Sequence, residues 1–166
     1  MVADDNDMNS TDIFSEGLPV PLKKIIEAME IQSDSFTFYL SMASGKMVMV
    51  TDEACGAIEE GEKIDPATGE PLDEVREAIS SDDYIPIPDQ FEIDEYRMME
   101  RFARSVPDRK TSEALSISLQ GSGAFRRFKD MIWILDVAED WFEFRDREYA
   151  EIAITWCEEH KIEYQR

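Results

Sequence analysis

The chain has 166 residues, and its 38 Asp and Glu against 17 Lys and Arg give a formal charge of −21. That length suits one domain, and 43% hydrophobic residues with three Trp, five Tyr and nine Phe supply a core, which excludes wholesale disorder. No apolar run approaches the ~20 residues that span a bilayer, and two cysteines make no disulfide framework, so a cytoplasmic protein with no membrane attachment is expected.

The opening MVADDNDMNSTD lacks the basic and apolar regions of a signal peptide, and residues 1–17 read as a disordered acidic tail ahead of a single domain over 18–166. After Pro19 and Pro21, Leu22, Ile25, Ile26 and Met29 recur at helical spacing. SFTFYLSM then alternates, with Phe36, Phe38, Leu40 and Met42 on one side and Thr37, Tyr39 and Ser41 on the other. Ser44 and Gly45 precede a second apolar run, Met47 to Val50, which predicts a β-hairpin. Residues 58–75 are acidic and rich in Gly and Pro, the composition of a mobile connection. A short helix is predicted over 73–79. Residues 80–90, which include YIPIP, are extended because the residue before a proline avoids the helical region.

The second half is predicted to be helical, with helices over 93–106, 110–119, 124–135 and 139–161 and a break at Gly121-Ser122-Gly123. The fold class is therefore α+β, an N-terminal helix and β-hairpin packed on a mostly α-helical C-terminal half. The last helix carries an apolar stripe of Trp141, Phe142, Tyr149, Ile152, Ala153 and Trp156. Arg145 falls on that stripe, where a cation needs a carboxylate or an aromatic face, so a structural role is expected for it.

Charge is uneven along the chain. Residues 1–90 hold 21 acidic and 5 basic side chains, whereas residues 97–129 hold eight basic against three acidic, an island of +5 inside an acidic protein. The global charge opposes nucleic acid and anionic lipid at long range, while a local patch acts at short range once salt screens the rest. One histidine excludes mechanisms built on several, and HExxH, the P-loop and GxGxxG are all missing. Cys157 and His160 offer two metal ligands where a structural zinc site needs four. No catalytic residue, metal or cofactor is assigned, and an enzyme is disfavoured.

Two arrangements stand out as candidate binding residues. On the helix over 93–106, Met99, Phe102, Ala103 and Val106 share one face, while Arg97, Arg101 and Arg104 lie within about 60° of one another on the opposite face. This stripe is either neutralised by acidic residues of the last helix or a docking face for an anionic partner, to which Arg bonds bidentately. In GSGAFRRFKD, Gly121 and Gly123 permit unusual backbone geometry, Ser122 is a potential cap, and free N–H groups at the helix start lie beside Arg126, Arg127 and Lys129, a weak anion site. That helix is expected to bury Phe125, Phe128, Ile132 and Leu135 and to turn Arg126, Asp130 and Trp133 outward. Trp beside Arg is the composition of an interface hot spot.

The succession YIPIP, EYRMMERFARSV, GSGAFRRFKD and WFEFRDREYAEIAITWCEEHKI resembles the bacterial family known as uncharacterised protein family zero-one-five-eight, over roughly residues 20 to 164. The resemblance implies that Gly123, Phe125, Arg126, Arg127, Phe128, Lys129, Asp130, Trp141, Phe144, Arg145, Asp146 and Trp156 belong to the family signature. It implies no activity, cofactor or catalytic residue. The reading that results is a small intracellular protein-binding or regulatory domain. It docks an anionic protein partner through Arg97, Arg101, Arg104, Arg126, Arg127 and Trp133, and its oligomeric state is left open. The alternatives are a nucleic-acid or phosphate-ligand binder using the basic island, an acidic mimic of nucleic acid, and an enzyme with carboxylate chemistry around Arg145.

Overall fold

The computed structural model describes residues 13–166. By their contacts the described residues form two compact units. The first holds the described residues up to Asp89 together with Ala153–Arg166, and the second is Gln90–Ile152. The fold class is α+β, with helices dominating the C-terminal half.

The first unit opens with β1 (Val20–Pro21) and α1 (Leu22–Ile31), the helix expected from its apolar spacing. Pro21 holds the extended N-cap conformation, and Leu22, Ile25, Ala28 and Met29 are buried. Lys24 is buried with them, and its ammonium donates to the Gly45 carbonyl at 2.7 Å and to the Ser15 carbonyl. The predicted hairpin is β2 (Phe36–Ser41) and β3 (Met47–Thr51), and β4 (Tyr84–Pro86) joins the other edge of β2 to give the antiparallel order β3-β2-β4. Pairing of Tyr39 with Val48 and of Leu40 with Met47 sorts the side chains onto two faces. Phe38, Leu40 and Met47 are buried on one face, while Tyr39 packs with Val48, Val50 and Ala78 on the other. A separate parallel pair sets β1 against β5 (Tyr164–Gln165).

Helix α2 (Asp52–Glu59) had no signal in the apolar periodicity, because it buries only Ala54 and Ala57 and has Gly56 in its interior. It starts where the Thr51 hydroxyl accepts the Ala54 N–H, with Asp52 and Glu53 in the first turn. The segment read as a connection over 58–75 closes on itself: Asp65 N–H donates to Glu70, Gly69 to Asp65 and Leu72 to Lys63. Leu72 is buried against Ala54 and Ala57, leading into α3 (Asp73–Ser80). Of the tail expected over 1–17, residues 1–12 lie outside the described residues. At its end Gly17 N–H donates to the Ser44 carbonyl at 2.8 Å, and the Phe14 ring lies 6.2 Å from Phe38.

The second unit contains α4 (Gln90–Ile93), α5 (Glu95–Ser105), α6 (Arg109–Ser118), α7 (Ala124–Ile134) and most of α8 (Ala138–Glu159), whose last residues belong to the first unit. The helix expected over 93–106 is interrupted at Asp94, which takes a left-handed φ of 45° and caps α5 by accepting the Arg97 N–H. Phe102 anchors the core, its ring centroid 6.2 Å from Phe128, 5.4 Å from Trp141 and 5.5 Å from Phe144. Phe125, expected inside, is 45% exposed and lies against Tyr96. No helix among the described residues is long and apolar enough to cross a membrane.

Candidate docking face

The stripe on α5 faces away from the apolar core, as its spacing predicts, but each of its arginines meets a carboxylate. Arg97 Nε lies 3.3 Å from Asp94, Arg104 Nη2 lies 3.7 Å from Glu100, and Arg101 Nη2 donates to Glu148 of α8 at 2.6 Å. Neutralisation by the last helix, one of the two readings of this stripe, is thus what Arg101 displays. Arg145 likewise has both kinds of partner that its position demands. Its Nε donates to Glu95 at 3.1 Å, its Nη2 donates to the Tyr149 hydroxyl at 3.1 Å, and its guanidinium sits 4.2 Å above the Tyr149 ring.

The Gly121-Ser122-Gly123 turn uses its neighbouring arginine internally. Gly121 and Gly123 both have positive φ, and Gly123 is the N-cap of α7, so Ser122 does not cap with its side chain. Arg127 reaches back from the first turn of α7 and donates to the carbonyls of Ser118, at 3.1 Å, Gln120 and Ser122. The last carbonyl of α6, that of Ser118, and two carbonyls of the turn are thereby met by one guanidinium, a cation that a helix C-terminus favours. Arg127 is therefore a staple of the α6–α7 turn.

The rest of α7 behaves differently. Ala124, Phe128 and Ile132 are buried, and the outward face presents Arg126, Lys129, Asp130, Trp133 and Ile134. Trp133 is 68% exposed and Ile134 72%, and Ile117 of α6 is 65% exposed across the groove between the helices. Ala114, Ile117, Met131 and Ile134 line that groove, about 570 Å³ in volume, together with Ser118, Arg127 and Asp130. On the other side of the α7 crest, Trp133 meets Phe142 of α8 with ring centroids 6.1 Å apart. Phe142, assigned to the buried stripe from sequence, is 45% exposed. Among the described residues Arg126 and Lys129 form no ion pair, in contrast with the arginines of α5.

Of the residues on this face, the sequence singles out Trp133 and Arg126 for a partner and Lys129 for an anion, and it does not single out Ile117, Ile134 or Phe142. Their signal was available in part: Ile134 directly follows Trp133, beyond the arc that helical spacing assigns to Phe128 and Ile132. No cluster of three His, Cys, Asp or Glu among the described residues is placed to hold a metal ion. Cys157 is buried, which pushes its thiol up to about 11, and His160 Nδ1 lies 2.8 Å from the Trp156 carbonyl.

The structure thus defines an α+β protein of two units whose helical unit carries an aromatic and cationic face on α7. The chain belongs to an uncharacterised protein family, UPF0158, whose model matches residues 16–165. No curated protein and no solved structure matches it.

Proposed function

We propose that the second unit is a protein-docking module and that the α7 face bearing Arg126, Lys129 and Trp133 receives an anionic partner with an apolar anchor. The observation that carries this reading is the exposure of Trp133 and Ile134 on a helix whose opposite face already fills the core. Large apolar side chains gathered at the surface mark interaction sites, and Trp flanked by Arg is the composition that dominates binding energy. Exposed cations without intramolecular partners orient an anionic partner and quicken its encounter. The arginines of α5 stay outside the proposed face, because their charges are already met by Asp94, Glu148 and Glu100. That pairing also favours a protein partner over nucleic acid, whose affinity depends on many cations free to replace counterions.

The test is capture from a nuclease-treated lysate of the native host, comparing the tagged chain with Trp133→Ala, with Arg126→Glu/Lys129→Glu and with Arg97→Glu/Arg101→Glu/Arg104→Glu. A captured protein is then purified and titrated directly. Binding lost with the two α7 variants and retained by the α5 variant supports the reading. Binding that is equal for all, or lost only with the α5 variant, removes it.

A further inference from the structure

The two sides of the Trp133–Phe142 contact differ in charge. On α7, Lys129 and Arg126 stand four and seven residues before Trp133 and are exposed. On α8, Glu139 stands three residues before Phe142 and Asp146 four after it, both exposed, so that each lies one turn from the ring on the same helix surface. Among the described residues none of these four charges forms an ion pair. The patch is therefore an aromatic seam with a net cationic edge along α7, where Arg126 and Lys129 outnumber the exposed Asp130 on the groove side, and an anionic edge along α8.

From this arrangement, and resting on the docking role of the α7 face, we infer that the anionic partner is a second copy of this chain. A two-fold axis running along the seam sets the α7 edge of one copy against the α8 edge of the other, twice, with Trp133 and Phe142 of both copies buried between. Such self-complementarity is what an isologous interface requires. Opposed edges of this kind also offset the repulsion that a charge of −21 sets against self-association. At about 0.15 M salt the screening length is ~8 Å, so the distant carboxylates of the two copies are damped while opposite edges in contact still attract.

Sedimentation velocity of the purified full chain, from about 1 to 200 μM at about 0.15 M salt, tests the inference. A concentration-dependent dimer is expected. Trp133→Ala, with helical content unchanged by circular dichroism, is expected to weaken it at least tenfold, as truncation of an interface Trp does. Arg126→Glu/Lys129→Glu alone and Glu139→Lys/Asp146→Lys alone are each expected to sediment as monomers, and an equimolar mixture of the two as a heterodimer. A monomer at every concentration, a dimer indifferent to Trp133→Ala, or a mixture that stays monomeric overturns the inference. The docking reading fails separately. If the wild type is monomeric yet Trp133→Ala still loses a captured host protein, the second copy is excluded and the face remains a docking site; if no capture depends on the face either, both readings fall.

Discussion

Arg127 has the most to lose on truncation among the arginines of the basic island, because its guanidinium serves three carbonyls that no other side chain among the described residues reaches. Arg127→Ala is expected to lower stability by about 0.5–1.5 kcal/mol in urea unfolding, the net range for a hydrogen bond, because water takes up the exposed carbonyls of Gln120 and Ser122, and Arg127→Lys is expected to recover only part of it. Cys157 gives a pH signature. Burial moves its thiol from an ordinary 9.0 up to about 11, so the folded state holds the proton more tightly than the unfolded chain. The stabilisation is complete below pH 9 and is lost as the pH rises through about 11, so urea midpoints of the wild type are expected to fall over that interval. A Cys157→Ala chain is expected to lack that component, and Cys157 is expected to resist alkylation at neutral pH until the protein unfolds. At this scale the sequence was legible for Arg145, whose place on an aromatic stripe implied the carboxylate and ring it meets. Arg127 was not, because a side chain that turns back to cap the preceding helix has the same local spacing as one that faces solvent.

Secondary elements followed their periodicity wherever one face was strongly apolar. Helices α1, α3, α6, α7 and α8 and the hairpin lie within a few residues of their expected ranges. Those that escaped were set by capping and backbone conformation. Helix α2 depends on Thr51 and two alanines, and the helix expected over 93–106 begins late because Asp94 adopts a left-handed conformation. The β2–β3 turn shows why one glycine is needed. Gly45 has a φ of +72°, and a Cβ there would stand 2.3 Å from the Gly17 carbonyl oxygen. Gly45→Ala is expected to cost more than about 1 kcal/mol in chemical denaturation, from the strained φ and from displacement of residues 15–17. Gly69, also at positive φ but with no neighbour within 4 Å, is the control, and Gly69→Ala is expected to cost less.

For the molecule as a whole, charge was legible as an excess but not as a pattern. The +5 island was visible in the sequence, yet its arginines divide in three dimensions into those of α5, paired with carboxylates, Arg127, bound to carbonyls, and the outward Arg126 with Lys129. Residues 47 positions apart, such as Arg101 and Glu148, meet only through the tertiary fold. The exposed aromatic seam was hidden for a related reason. Phe142 stands seven residues before Tyr149, a helical spacing that places it on the stripe, yet it lies against Trp133 of α7 and is 45% exposed.

The α7 face as the docking surface is tested most directly by site-specific photo-crosslinking in the native host, with a benzophenone amino acid placed in turn at 133, 134, 97 and 104. The account expects a discrete protein adduct from positions 133 and 134 and none from 97 and 104, with a mass near twice the 19.1 kDa of the chain where the partner is a second copy. Adducts from 97 and 104 with none from 133 or 134 would contradict it.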